Sequence, residues 1–252
     1  MRIARFSLNG EPKFGIVDGP ELVVLNGHPL VAGYDTTGER VPIKDVKLLA
    51  PTIPSKVVCV GLNYADHVAE IKDATNAAEP TLFLKPSSSI VGPGDAIVLP
   101  AQSEKVDLEV ELTIVMGQIA KNVSEKDALN YVWGFTIAND VTARDLQEKD
   151  EQWTRAKGFD TFCPVGPWIE TEFRPDGQLL ETRVDGEIRQ HASVDLMIHK
   201  VEKIVAHVSQ AMTLLPGDII LTGTPAGIGE IEAGQTVEIS IEGIGTLTNP
   251  VA

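Results

Sequence analysis

The sequence predicts a strand-rich α+β fold, and three observations carry that reading. Short runs of branched and aromatic residues outnumber the segments with helical periodicity. Asn-Gly and Asp-Gly dipeptides punctuate these runs, as they do between paired strands (Asn9-Gly10, Asp18-Gly19, Asn26-Gly27, Asp185-Gly186). The two kinds of segment do not alternate regularly, which argues against a doubly wound sheet.

In chain order, residues 1–50 read as a small β-rich module with strands over Arg2–Leu8, Lys13–Val17 and Glu21–Leu25. Leu49-Ala50-Pro51-Thr52-Ile53-Pro54 is the linker, since two closely spaced prolines disfavour regular structure. A second domain then covers 51–252. It opens on a buried strand over Lys56–Val60, followed by a short helix over Asp66–Lys72 and a small, polar, surface-loop segment ending at Pro80. A strand over Thr81–Lys85 and a turn at Gly92–Asp95 lead to Val106–Thr113, where Asp107, Glu109 and Glu111 alternate with branched apolar residues. Ser124 to Asn130 reads as a helix with Ser124 as N-cap and Asp127 in a capping-box-like position. Trp133–Ala138 is a strand running into Asn139-Asp140, and residues 145–155 are a polar helix. Residues 179–190 form a hairpin, and His199–Leu215 is an amphipathic helix closed by Pro216-Gly217-Asp218. Strands and glycine turns fill the remainder.

The chain has 252 residues, 43% of them hydrophobic, ample for a buried core. Its net charge of −15 argues against nucleic acid or an anionic membrane as main partner. An acidic substrate would need local cations or a metal to attract it. The two cysteines, Cys59 and Cys163, are too few for a disulfide framework or a zinc site and read as buried free thiols. Met1–Phe6 lacks the apolar run of a signal peptide, and no stretch approaches the ~18 apolar residues of a membrane span. The expectation is a cytoplasmic protein.

A strand sends alternate side chains to one face, so Asp107, Glu109 and Glu111 would stand together. Their repulsion calls for an offset, and Mg²⁺, Mn²⁺ or Ca²⁺ would supply it through oxygen ligands. The same pattern also suits the solvent-washed face of an edge strand. Asp140, at the end of an apolar strand, fits either a third carboxylate of such a site or a turn residue. His67 and Glu70, three apart, would share a helix face. They suit a general base with its orienting carboxylate, or an ordinary surface pair. Lys85, Arg144, Gln147 and Lys157 could meet an anionic substrate if they converge on the carboxylates.

Six segments occur in an order that resembles the fumarylacetoacetate hydrolase family. They are Val60–His67, Phe83–Pro86, Asp107–Glu111, Asn139–Gln147, Ala156–Asp160 and Leu221–Gly227, and the resemblance covers roughly residues 48–252. It implies a roll of mixed β-sheet with peripheral helices, usually dimeric, so a homodimer is expected. It implies Mg²⁺ or Mn²⁺, sometimes Ca²⁺, bound by Glu109, Glu111 and Asp140. It places His67 and Glu70 on a lid, here residues 66–80, and gives Lys157, Gln147 and Thr224 substrate contacts. Arg144 would help with an oxyanion or serve structure, and Lys85 joins the substrate-binding group. Asp107 is left without a role.

The activity implied is cleavage of the C3–C4 bond of a small 2-keto acid through a metal-stabilised enolate, by acylpyruvate-type hydrolysis or oxaloacetate decarboxylation. Isomerisation of a 2-hydroxy-dienedioate and keto–enol tautomerisation use the same enolate and form the alternative. A metal-binding protein without turnover is a third reading. One departure bears on the choice: Leu62 stands where many acylpyruvase-like members carry Arg.

Overall fold

Runs of β-branched residues closed by glycine turns become strands, and among the described residues these build three sheets. The computed structural model describes residues 1–70 and 78–252. The largest sheet has twelve strands. Its path runs Thr36–Pro42, Glu21–Leu25, Glu11–Asp18, Arg2–Leu8, Cys163–Glu170, Val132–Asn139, Val110–Met116, Ile219–Leu221, Val57–Gly61 and Thr81–Lys85. Most neighbours are antiparallel. Ile219–Leu221 runs parallel to Val57–Gly61, and Ile90–Val91 parallel to Cys163–Glu170, so the sheet is mixed. A three-stranded sheet joins Thr142–Ala143, Val106–Leu108 and Gly229–Glu230, and a four-stranded one orders Glu187–Ser193, Leu179–Val184, Thr236–Ile241 and Gly245–Pro250.

The N-terminal strands continue the large sheet, with Arg2 opposite Glu170 and Ile3 opposite Ile169. They also carry a small core of their own from Ala4, Phe6, Leu22 and Val24. Turn chemistry sets the hairpin at Asp185-Gly186: φ is 50° at Asp185 and 86° at Gly186, the doubly left-handed geometry that tight hairpins use.

Helices are few and short. The expected amphipathic helix forms over Val201–Ala211, burying Val201, Ile204, Val205 and Val208. That is the i, i+3, i+4, i+7 spacing of a single face. Two helical expectations need correction. The segment after Ser124 is a 3-10 helix over Glu125–Tyr131, and the Ser124 hydroxyl donates to the Asp127 carboxylate (2.7 Å) instead of capping the backbone. The polar segment 145–155 is two helices, Arg144–Lys149 and Thr154–Gly158, because Asp150 turns extended (ψ 139°) between them. The helix at Asp66 covers Ala65–Glu70, and residues 71–77 of the expected lid lie outside the described residues.

The acidic stretch is not one strand. Val106–Leu108 belongs to the three-stranded sheet and Val110–Met116 to the large one, with Glu109 between them. The Glu109 N–H leaves the ladder and donates to the Asn139 side-chain oxygen (2.9 Å). Both segments are buried throughout, which overturns the solvent-washed edge strand. Cys59 and Cys163 are free and buried, as expected. Burial raises both thiols, Cys163 to about 12. Among the described residues no helix is long and apolar enough to cross a membrane.

Candidate active site

Glu109, Glu111 and Asp140 converge from the sheet junction and from the end of Val132–Asn139. Each offers a carboxylate oxygen within 4.8 Å of the others, and all three are buried. Local backbone bonds lock this corner: the Asp140 N–H donates to the Glu109 carbonyl (2.9 Å), and the Thr142 hydroxyl to the Asp140 carbonyl (2.8 Å).

Three buried cations reach the cluster. Lys157 Nζ donates to Glu109 Oε2 (2.9 Å) and to Asp140 Oδ2 (2.6 Å). Lys85 Nζ donates to Asp140 Oδ1 (2.6 Å) and to the Val141 carbonyl (3.1 Å). The Arg144 guanidinium spans Asp107 (2.8 Å), Glu109 and the Gln147 carbonyl oxygen (2.5 Å). Asp107 thus holds Arg144, while its other oxygen is buried without a partner.

The cations act unevenly on the acids. Burial alone would raise the Glu109 carboxyl, but Lys157 and Arg144 outweigh it and hold Glu109 well below the usual carboxylate range. Glu111 goes the other way: burial, then the charges of Asp140 and Glu109, push it well above that range. Burial opposes the charge on Lys157, but Asp140 and Glu109 overcome it and raise the ammonium. A divalent cation fits this donor set. It would bring Glu111 the positive charge that the lysines give its neighbours, and three carboxylates are hard oxygen ligands.

Two glycines in the Leu221–Gly227 segment each offer an amide to an acid of the site. The Gly223 N–H donates to Glu111 Oε2 (2.6 Å), and the Gly227 N–H to Glu70 Oε1 (2.9 Å). Both sit at positive φ (99° and 93°) in places a Cβ would fill. The other oxygen of Glu70 lies 3.2 Å from His67 Nδ1. If Nδ1–H is the donor there, Nε2 is left as an acceptor. Between the glycines, Thr224 Oγ1 accepts from Gln190 Nε2 (2.8 Å) and keeps its own proton to donate.

These side chains surround a cavity of about 220 Å³. His67, Glu109, Glu111, Asp140, Arg144, Gln147, Lys157 and Thr224 all line it, together with Leu62, Phe83 and Trp153. Leu62 holds φ 59° there, rare for a bulky non-glycine residue. Lys85 and Glu70 are not among the lining residues; Lys85 lies beneath Asp140, and Glu70 behind His67. The sequence gives no role to Gln190 or Trp153, and none to Phe83 and Asn139 beyond their place in the motif segments. Gln190 is fully buried, and besides Thr224 it serves the Val110 N–H (2.9 Å) and the Pro225 carbonyl (2.8 Å). A lone polar residue on the inward face of a strand was its only signal.

A mixed-sheet fold around a buried three-carboxylate cavity defines a class of enzyme-like proteins that could hold a metal. The family model described as fumarylacetoacetate (FAA) hydrolase C-terminal matches residues 56–252, and one described as Rv2993c-like, N-terminal matches 1–51. The chain belongs to the fumarylacetoacetate hydrolase family. It is 45% identical over 223 residues to the mitochondrial oxaloacetate tautomerase Fahd2a of Rattus norvegicus, covering 84% of this chain and 71% of that one. A solved 2-hydroxyhepta-2,4-diene-1,7-dioate isomerase from Mycobacterium marinum is 50% identical, with TM-score 0.93 over 100% of this chain and 98% of that one. The maleylpyruvate hydrolase of Sphingobium sp. SYK-6, solved with manganese(II) and pyruvate, is 30% identical, with TM-score 0.84 over 100% and 99% of the two chains.

Proposed function

We propose that this protein is a divalent-metal-dependent enzyme that moves a proton between the keto and enol forms of a small 2-keto acid. The observation that carries the reading is one cavity lined by the three-carboxylate cluster, by Lys157 and Arg144, and by His67 backed by Glu70. Glu109, Glu111 and Asp140 would hold Mg²⁺ or Mn²⁺, with Ca²⁺ a further oxygen-loving candidate. Such an ion supplies a Lewis acid for the carboxylate and carbonyl oxygens of the substrate.

The protein's own groups do the rest. Lys157 and Arg144 draw an anionic acid into an otherwise acidic protein and favour the form in which charge gathers on the C2 oxygen. His67 takes the proton from C3 through Nε2, while Glu70 fixes the ring and stabilises the imidazolium. The same proton then returns to the C2 oxygen, giving the enol. Thr224 and Gln147 offer hydrogen bonds that orient the acid.

Tautomerisation or isomerisation is placed ahead of cleavage for two reasons. The relatives named tautomerase and isomerase are the more similar ones at 45% and 50% identity. Leu62 also lines the cavity at the position where many acylpyruvase-like members carry Arg. C3–C4 cleavage, with His67 taking a proton from water, is the second reading. It is favoured by the pyruvate in the manganese-bound maleylpyruvate hydrolase. The test offers oxaloacetate, an acylpyruvate and a 2-hydroxy-dienedioate to the purified Mg²⁺ and Mn²⁺ forms. Loss of enol absorbance without pyruvate release is expected with oxaloacetate. Stoichiometric pyruvate would move the assignment to cleavage, and no turnover of any acid would sink the enzyme reading.

A further inference from the structure

The aromatic wall of the cavity has a second side. Phe83 and Trp153 line the cavity of about 220 Å³ and also line a groove of about 830 Å³ that runs along Thr81–Ser87. Among the described residues no other lines both. Their rings meet edge to face, with centroids 5.3 Å apart at 76°. The indole is laid against backbone: a Cβ at Gly61 would stand 3.0 Å from a Trp153 ring carbon. The partition is close to the charged end of the cavity, because Lys157 Nζ sits 5.1 Å from the centre of the Phe83 ring. On the cavity side, the space of about 220 Å³ is room for a compact acid.

We propose that Trp153 is the specificity-determining residue of this site, ending the cavity so that only short 2-keto acids fit. The carboxylate end faces the cations and the carboxylate cluster, and the carbon end abuts the indole. Removing the indole joins cavity and groove and admits acids with an unbranched apolar tail. This rests on the 2-keto acid reading above.

The experiment measures binding, so that it does not depend on which bond the enzyme changes. The full chain with Mn²⁺ is titrated calorimetrically with pyruvate, 2-oxobutyrate and 2-oxooctanoate. Wild type should bind the eight-carbon acid at least about tenfold more weakly than the four-carbon acid, the scale on which a pocket rejects extra methylenes. Trp153→Ala should close that gap by about tenfold, with pyruvate affinity kept within about threefold, while Trp153→Phe keeps the wild-type order. Gly61→Ala attacks the same wall from the other side, displacing the indole without touching its helix, and should also shift the ratio of long to short acids. If wild type binds short and long acids alike, or if Trp153→Ala weakens all three acids by one factor, Trp153 only supports the helix carrying Lys157 and the proposal is overturned. If wild type binds none of the three, the 2-keto acid reading fails and this inference falls with it.

Discussion

Replacing Gly223 by alanine should damage stability and metal binding together. The backbone there has φ +99°, and an added Cβ would stand 2.6 Å from the Asn63 Cβ and 3.2 Å from the Val60 carbonyl oxygen. Left-handed backbone costs an L-residue about 1–2 kcal/mol, and overpacking a filled site about 1–3 kcal/mol more. Asn63 cannot yield easily. Its amide nitrogen donates to the carbonyls of His199 (3.0 Å) and Thr222 (2.7 Å), and its oxygen accepts from the His199 N–H (2.7 Å). The strain therefore falls on residue 223, whose N–H is withdrawn from Glu111. The total is about 2–5 kcal/mol, a loss of roughly 5–20 °C in melting temperature for a chain of this size. A hydrogen bond to a charged group carries about 1.5–3 kcal/mol, so Mn²⁺ affinity should fall about tenfold or more. Gly229→Ala is the control: nothing lies within 4 Å of its added Cβ and its φ is not left-handed, so it should stay within about 0.5 kcal/mol of wild type. Urea unfolding and calorimetric Mn²⁺ titration read both effects. A Gly223→Ala protein that unfolds with wild type and binds Mn²⁺ equally well would refute the reasoning.

Glu109→Gln and Asp140→Asn should each remove calorimetric Mn²⁺ binding and turnover; activity that survives in chelator-treated buffer would take the metal out of the proposal. His67→Ala should lower turnover about 10²–10⁴-fold, the usual share of a general base, and Glu70→Gln should lower it less; a His67→Ala rate within threefold of wild type means another group moves the proton. Burial opposes ionisation of Asp218, but Lys56, the Leu215 N–H (2.8 Å) and the Ser55 hydroxyl (2.7 Å) together hold its carboxyl below the usual range. A depressed carboxyl stabilises the fold fully above its unfolded value of about 3.9, and that contribution fades as pH falls through the lower folded value. Asp218→Asn should therefore flatten the drop of melting temperature below about pH 4, and parallel curves for the two proteins would show that Asp218 is not responsible. Light scattering of the purified chain should give the mass of a homodimer, and a monomer at micromolar concentration would remove that expectation.

The strands were the most legible part, because local chemistry writes them. Glu21–Leu25 lies between turn dipeptides, and Arg2–Leu8 ends on one, and the backbone needs of those turns are local. The grouping of Glu109, Glu111 and Asp140 came from the family resemblance, since the alternating acidic run alone put Asp107 beside the two glutamates and left Asp140 open as a turn residue. The sheet switch at Glu109 was not legible. A period of two looks the same in one strand as in two strands meeting at a residue, and what separates them is the hydrogen bond that the Glu109 N–H donates to Asn139, thirty residues away. The break at Asp150 was not legible either, since polar residues on both sides suit a helix and nothing in their pattern marks the extended backbone there. Trp153 and Gln190 gave little local sign, because each acts across elements. Trp153 lies against Gly61 and Phe83, and Gln190 reaches from a hairpin to Val110 and Thr224.

The position of Glu109 between two sheets gives the protein a built-in reporter. A ligand held by Glu109, Glu111 and Asp140 grips the junction between Val106–Leu108 and Val110–Met116 together with the end of Val132–Asn139. Thermodynamic linkage then turns occupancy into heat resistance. A ligand present at a hundred times its dissociation constant adds about 2.7 kcal/mol, or roughly 5–10 °C for a chain of this length. Metals and small acids can be ranked by melting temperature alone, singly and in pairs. A pair that stabilises by more than the sum of its members identifies substrate and cation together, before any reaction has been observed.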